Sequence, residues 1–238
     1  MPVIEFKFME SAGDAARTAL RKQLRETALA HLEKHSTYEE VDKCDKTIKV
    51  DGTDHQVSLV TTRYWDEEKK TYVLVCKGVV GGLTVDMFKS FRDNMAENMK
   101  KMDGDRVTPE ELPAVPGTDK VVLMNIKFPF PMTNRSMLNA FYFNDEADGS
   151  YWQCSSSVGN EALYEQYKSK VGKNVIATNH MGFIQLKNTD SGCEWNSINM
   201  VDLGGSIPGM MKGKIASRQA KQAIGTINFI MTGEKPPE

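Results

Sequence analysis

Apolar and polar positions alternate in two distinct rhythms along the chain, and the order in which they follow one another suggests an architecture. In GDAARTALRKQLRETALAHLEKH, Ala16, Leu20, Leu24, Ala28 and Leu32 fall on one stripe at helical spacing, with charged residues around it. That spacing predicts a helix with one face laid on another layer. The runs KTIKVDG, HQVSLVTTRYW and KTYVLVCKGVV are short, rich in Val, Thr and Tyr, and separated by DGTD and DEEKK, which predicts antiparallel strands joined by turns. Helical period returns in TVDMFKSFRDNMAENMKKM, with Phe88, Met95, Met99 and Met102 near one face and Phe91 widening it. The segment DGDRVTPEELPAVPGTDK is rich in Pro, Asp and Gly and reads as a loop.

Five longer strand-like runs follow: KVVLMNIKFPF, MLNAFYFN, GSYWQCSSSV, NHMGFIQLKN and CEWNSINMVDL. Only NEALYEQYKSKVG interrupts them with helical character, so the pattern favours one antiparallel sheet over repeated βαβ units. Splitting the chain near residue 110 would leave two partial sheets with exposed edges. The expectation is therefore one α+β domain over residues 1–231, followed by a polar tail over 232–238.

The end of the chain carries a second long apolar stripe. Gly204 and Gly205 can turn the backbone, Ser206 is the expected helix N-cap, and Pro208 falls in the first turn, where its missing N–H costs least. Ile207, Met210, Met211, Ile215, Ala223, Ile224, Ile227, Ile230 and Met231 then recur every three or four residues. Such a face is broad enough to lie across a curved sheet. The glycines before it and the Met210–Met211 pair after Pro208 suggest a lid able to adjust before it closes on an apolar contact.

Composition narrows the partners. With 40% apolar residues among 238 and a net charge of −2, the chain can bury a full core and has no global basic field for nucleic acid. No run approaches the roughly 18 apolar residues of a membrane span, so a soluble, cytoplasmic monomer is expected. Four cysteines, Cys44, Cys76, Cys154 and Cys193, are far apart and read as free thiols. Fourteen methionines suit surfaces that adapt to variable apolar partners, and equally an ordinary core.

The chemical motifs are weak. HLEKH spaces His31 and His35 by one helical turn, but Glu33 stands where a zinc-protease helix would need a different order. KGVVGGL and LGGSIPG lack the dinucleotide-binding spacing, and CSSSVG lacks the surroundings of a serine nucleophile. No metal, no cofactor and no catalytic set is expected. Lys212, Lys214, Arg218 and Lys221 lie off the apolar stripe and form either a solvated face or a surface for transient membrane contact.

Two segments carry a resemblance. FPFPMTNRSMLNAFYF, at 128–143, and CEWNSINMVDLGGSIPGMM, at 193–211, followed by the long terminal helix, resemble the START family of lipid-transfer-related domains in the helix-grip group. The resemblance covers about residues 12–231. It implies a curved antiparallel sheet of about nine strands wrapped around the C-terminal helix, with the N-terminal helix outside. It also implies a tunnel for a lipid or another apolar molecule, and with the Met-rich face and no catalytic or metal set the leading expectation is non-enzymatic binding, with transfer or sensing, of that molecule. Ser136 stands where many relatives carry an acidic residue, and Val122 and Phe141 stand where several carry buried charges. Two polar handles are thereby missing, which leaves the ligand class open.

On this reading the ligand-facing residues are Met124 and Ile126, Phe141 and Phe143, Met181 and Phe183, then Asn196, Ile198 and Met200 on the last strand. Ile207, Met210, Met211 and Ile215 would face the ligand from the lid, and Arg135 would answer a phosphate or carboxylate unless it forms a surface ion pair. The alternative function is an enzyme of the same fold group, a cyclase or hydrolase acting on an apolar substrate.

Overall fold

Asp51 and Gly52 both take positive φ, 48° and 82°, the backbone of a tight hairpin turn that matches the twist of the strands on either side. The strands they join are the first two of one large sheet. A computed structural model describes residues 14–157, 161–205, 207, 218–219 and 221–235. Helix α1 (Asp14–Lys34) leads through a single 3-10 turn into β1 (Glu39–Val50), β2 (Thr53–Asp66) and β3 (Thr71–Gly81). Helices α2 (Val85–Asp93) and α3 (Met95–Asp103) follow, then β4 (Val107–Leu112), β5 (Lys120–Ile126), β6 (Arg135–Asp145) and β7 (Tyr151–Ser156). The short helices α4 (Glu161–Gln166) and α5 (Lys168–Val171) precede β8 (Val175–Ile176), β9 (Thr178–Thr189) and β10 (Gly192–Asp202), and α6 (Gln222–Thr232) ends the described fold.

The sheet runs in the order β1-β2-β3-β10-β9-β7-β6-β5-β4, with the two-residue β8 added to β6 in parallel. Every other pairing is antiparallel. Sequence-distant β3 and β10 meet in the middle, which is what makes this one sheet rather than two. The architecture is the α+β helix grip.

Three local expectations change. The Pro-rich segment expected as a loop contains β4, with Pro109 opposite Met124. β4 ends the strand order, and a proline is tolerated at a sheet edge because its missing N–H can face away from the neighbouring strand. The helix expected over 84–102 breaks at Asn94 into α2 and α3, and Asn98 Nδ2 donates to the Phe91 carbonyl at 2.8 Å. The helix expected over 160–172 breaks likewise, at Tyr167.

Each face of the sheet has its own cover. Leu24, Ala28 and Leu32 of α1 pack with Val73, Tyr142, Trp152, Cys154 and Phe183 on one face; for Ala16 and Leu20 the backbone alone is described. On the opposite face Ile227 and Met231 of α6 and Phe88 of α2 pack with Leu59, Tyr151, Leu186 and Trp195. These are called the α1 face and the α6 face below. The stretch expected as a polar tail begins inside α6, and Lys235 beyond it pairs with Asp105.

Candidate ligand-binding face

Residues directly opposite one another on neighbouring strands share a face, so the registers allow the α6 face to be read row by row. The first row, Leu59, Trp195, Leu186 and Tyr151, is the apolar floor already covered by α2 and α6. The next row is mixed: Thr61, Cys76, Ser197, Ile184, Gln153 and Phe143. Then come Leu74, Asn199, Gly182, Ser155 and Phe141. At the far end Met95 of α3 packs with Val122, Met124, Met137, Phe141 and Leu203. A belt of amides and hydroxyls thus crosses the α6 face between two apolar clusters.

The belt reaches Asn179 through an irregularity. Along β9, Met181 and Phe183 lie on the α1 face, and strict alternation would put Asn179 beside them. The pairing between β9 and β10 instead shifts between Met200 and Val201, so that Met181 faces Met200 and Asn179 faces Val201. The extra residue, His180, reverses the alternation, as a bulge does. Asn179 therefore joins the α6 face, where its Nδ2 donates to Asn139 Oδ1 at 3.0 Å and to Ser155 Oγ at 3.0 Å. The same nitrogen lies 3.4 Å from the Ser155 carbonyl, and the Asn179 main chain is fixed by Ser157 Oγ at 2.7 Å.

Asn139 and Asn179 are 1% and 4% exposed. Asn179 Oδ1 is out of solvent reach and has no hydrogen-bond partner among the described residues; Asn199 Oδ1 is in the same condition. Asn199 Nδ2 donates to Gln222 Oε1 of α6 at 3.1 Å. Nearer the floor, Arg92 of α2 lies 4.8 Å from the Phe143 ring centre and donates to Tyr151 Oη at 3.3 Å. Burial, against the pull of Arg92, pushes the Tyr151 phenol up to about 12.

The structure divides the residues expected to face a ligand. Met124 and Phe141 are buried together on the α6 face, with Ile126, Phe143 and Ile207 partly buried beside them. Met181, Phe183, Ile198 and Met200 lie together as alternation predicted, but on the α1 face, inside the core that α1 covers. Asn196 shares their parity on β10, so the polar residues of that strand on the α6 face are Ser197 and Asn199 instead. The physical reason is that alternation yields two equivalent sets, and only the packed helix decides which is which. Met210, Met211, Ile215 and the Ser206 start of the lid lie outside the described residues.

Arg135 does not form the surface ion pair given as one of its two expected roles. It is 1% exposed, and its guanidinium donates to the carbonyls of Leu203 at 3.1 Å, Gly204 at 3.1 Å and Thr133. No carboxylate pairs with it among the described residues, and burial lowers its pKa. Arg135 therefore ties the start of β6 to the turn after β10. Gly204, at φ +62°, has so little room that a Cβ would sit 2.5 Å from the Ile176 carbonyl.

Sequence reasoning missed Asn139, Ser155 and Asn179. Asn139 was readable, since it has the parity of Phe141 and Phe143. Asn179 was not, because nothing in NHMGFIQLKN marks the bulge.

His31, considered as half of a metal pair, bonds to Tyr38 Oη at 2.8 Å. Among the described residues no group of three or more His, Cys, Asp or Glu is placed to hold a metal ion. No described helix is long and apolar enough to cross a membrane.

Solved structures match this arrangement over most of its length. Human StAR-related lipid transfer protein 5 superposes with a TM-score of 0.65 at 13% identity, covering 92% of this chain and 97% of that one. The fold is that of the StAR-related lipid transfer domains. Human STARD10 matches with a TM-score of 0.58 at 15% identity, over 79% of this chain and 72% of its own. The STAR-related lipid transfer protein of Xanthomonas axonopodis matches with a TM-score of 0.54 at 16% identity, over 79% and 96%. No family model matches the sequence, and no curated protein does.

Proposed function

We propose that the protein binds a lipid or a similar apolar molecule, without chemical change, against the α6 face of its sheet. The observation that carries this reading is the cluster of Met95, Met124, Met137 and Phe141 beside the polar belt, on a fold shared with lipid transfer domains. Methionine adapts to irregular apolar shapes, and each Å² of apolar ligand surface removed from water contributes roughly 25 cal/mol. A ligand seated there would need few polar anchors.

Binding without catalysis is favoured by the make-up of the belt. Asn139, Gln153, Ser155, Asn179, Ser197 and Asn199 bear amides and hydroxyls, which neither take nor release a proton near neutral pH. A cyclase or hydrolase would need acid–base groups in the same place. His180, the histidine nearest the belt in sequence, sits at the bulge with its pKa lowered by burial.

Met124, Ile126, Phe141, Phe143 and Ile207 are the residues we assign to the apolar wall, and transfer between membranes is the activity that would follow from release. Native mass spectrometry of protein purified from cells under mild conditions tests the reading. A copurifying apolar molecule is the expected result. Repeated ligand-free preparations that also refuse diphenylhexatriene, a hydrocarbon dye, would overturn it.

A further inference from the structure

The open oxygen at Asn179 points to what the polar end of the ligand looks like. Its amide is 4% exposed, and its nitrogen already serves Asn139 Oδ1 and Ser155 Oγ, both at 3.0 Å. The Ser155 main-chain carbonyl, 3.4 Å from the same nitrogen, can only accept. It therefore fixes which end of the amide is nitrogen and turns Oδ1 the other way. That oxygen meets neither solvent nor a donor among the described residues. A buried acceptor left without a donor is destabilising, yet the bulge at His180 brings this one onto the α6 face rather than leaving it among the side chains under α1.

We propose that Asn179 Oδ1, held in place by Asn139 and Ser155, accepts a hydrogen bond from an uncharged hydroxyl or amide N–H at the polar end of an apolar ligand. The inference rests on the binding function proposed above and names the ligand chemistry. Charge is disfavoured for two reasons. A carboxylate or phosphate would set its own lone pairs against the open oxygen, and the buried guanidinium of Arg135 is already engaged by the carbonyls of Thr133, Leu203 and Gly204. An ammonium would be stripped of water with no anion in the belt to compensate. A neutral donor satisfies the oxygen without either cost. Gly182 keeps the serine in this arrangement, since a Cβ there would collide with Ser155 Oγ at 2.5 Å and push it away from Asn179.

Two matched pairs of probes test the idea on the 238-residue chain by displacement of diphenylhexatriene: hexadecan-1-ol against its methyl ether, and cholesterol against its methyl ether. Each ether keeps the apolar body and loses the donor. At least one alcohol is expected to bind about tenfold or more tightly than its ether, and in Asn179→Leu the alcohol and its ether are expected to bind equally. The wild-type comparison stands on its own if the variant does not fold. Equal affinities within both pairs would overturn the assignment to Asn179 while leaving lipid binding in place. Failure of all four probes and of the dye would overturn the binding function itself, and this inference with it.

Discussion

Arg135 Nε donates to the Leu203 carbonyl at 3.1 Å, joining the first residue of β6 to the turn that follows β10. Together with the carbonyls of Gly204 and Thr133, this makes one buried side chain the tie between two distant segments. Arg135→Lys keeps the charge but cannot reach three carbonyls with the same planar fork. The variant is expected to lose about 3 kcal/mol in urea unfolding, because buried carbonyls lose donors and a charge loses partners. A loss under about 0.5 kcal/mol, typical of surface changes, would count against the clamp.

The two faces of the sheet should respond differently to matched changes. Phe183 packs under α1 and Phe141 lies on the α6 face. Phe183→Leu and Phe141→Leu are each expected to cost about 1 kcal/mol, whereas only Phe141→Leu should change affinity for diphenylhexatriene. If Phe183→Leu altered dye binding as much, the ligand would have to be placed on the α1 face.

Stability should fall on mild acidification. Burial lowers the pKa of His31, His35 and His180 below the ordinary 6.5, so the unfolded chain binds protons more readily than the folded one. Their contribution is full above 6.5 and declines as pH drops through that value toward the lowered folded-state values. A falling Tm between about pH 7.5 and pH 5 is expected, with His31→Gln flattening the curve. A Tm that stayed constant over that window would sink the prediction.

The cysteines should be slow to react. All four are buried and unpaired with one another, and burial pushes the thiols of Cys76 and Cys193 up to about 11 and that of Cys154 to about 12. Iodoacetamide at neutral pH should label the folded protein many times more slowly than the urea-unfolded chain, because the thiolate is the reactive form. Rapid native labelling at Cys76 or Cys154, found by peptide mapping, would show that the sheet opens on that timescale.

The sequence by itself determined the kinds of elements and most of their order. The stripe through Leu24, Ala28 and Leu32, the Asp51–Gly52 turn and the alternation in MLNAFYFN are local patterns whose cause lies within a few residues. It also determined that Ile198 and Met200 share a face with each other. Only the tertiary structure decided which face that was, because the two sides of a strand are equivalent until a helix packs on one of them. The same holds for Pro109, whose tolerance in β4 depends on the strand ending the sheet, and for Arg135, whose partners come from a turn about 70 residues away in sequence. Asn179 shows the limit most clearly. One extra residue at His180 moves it from the α1 face to the α6 face, and a bulge is fixed by the register of two paired strands, which no single strand's sequence contains.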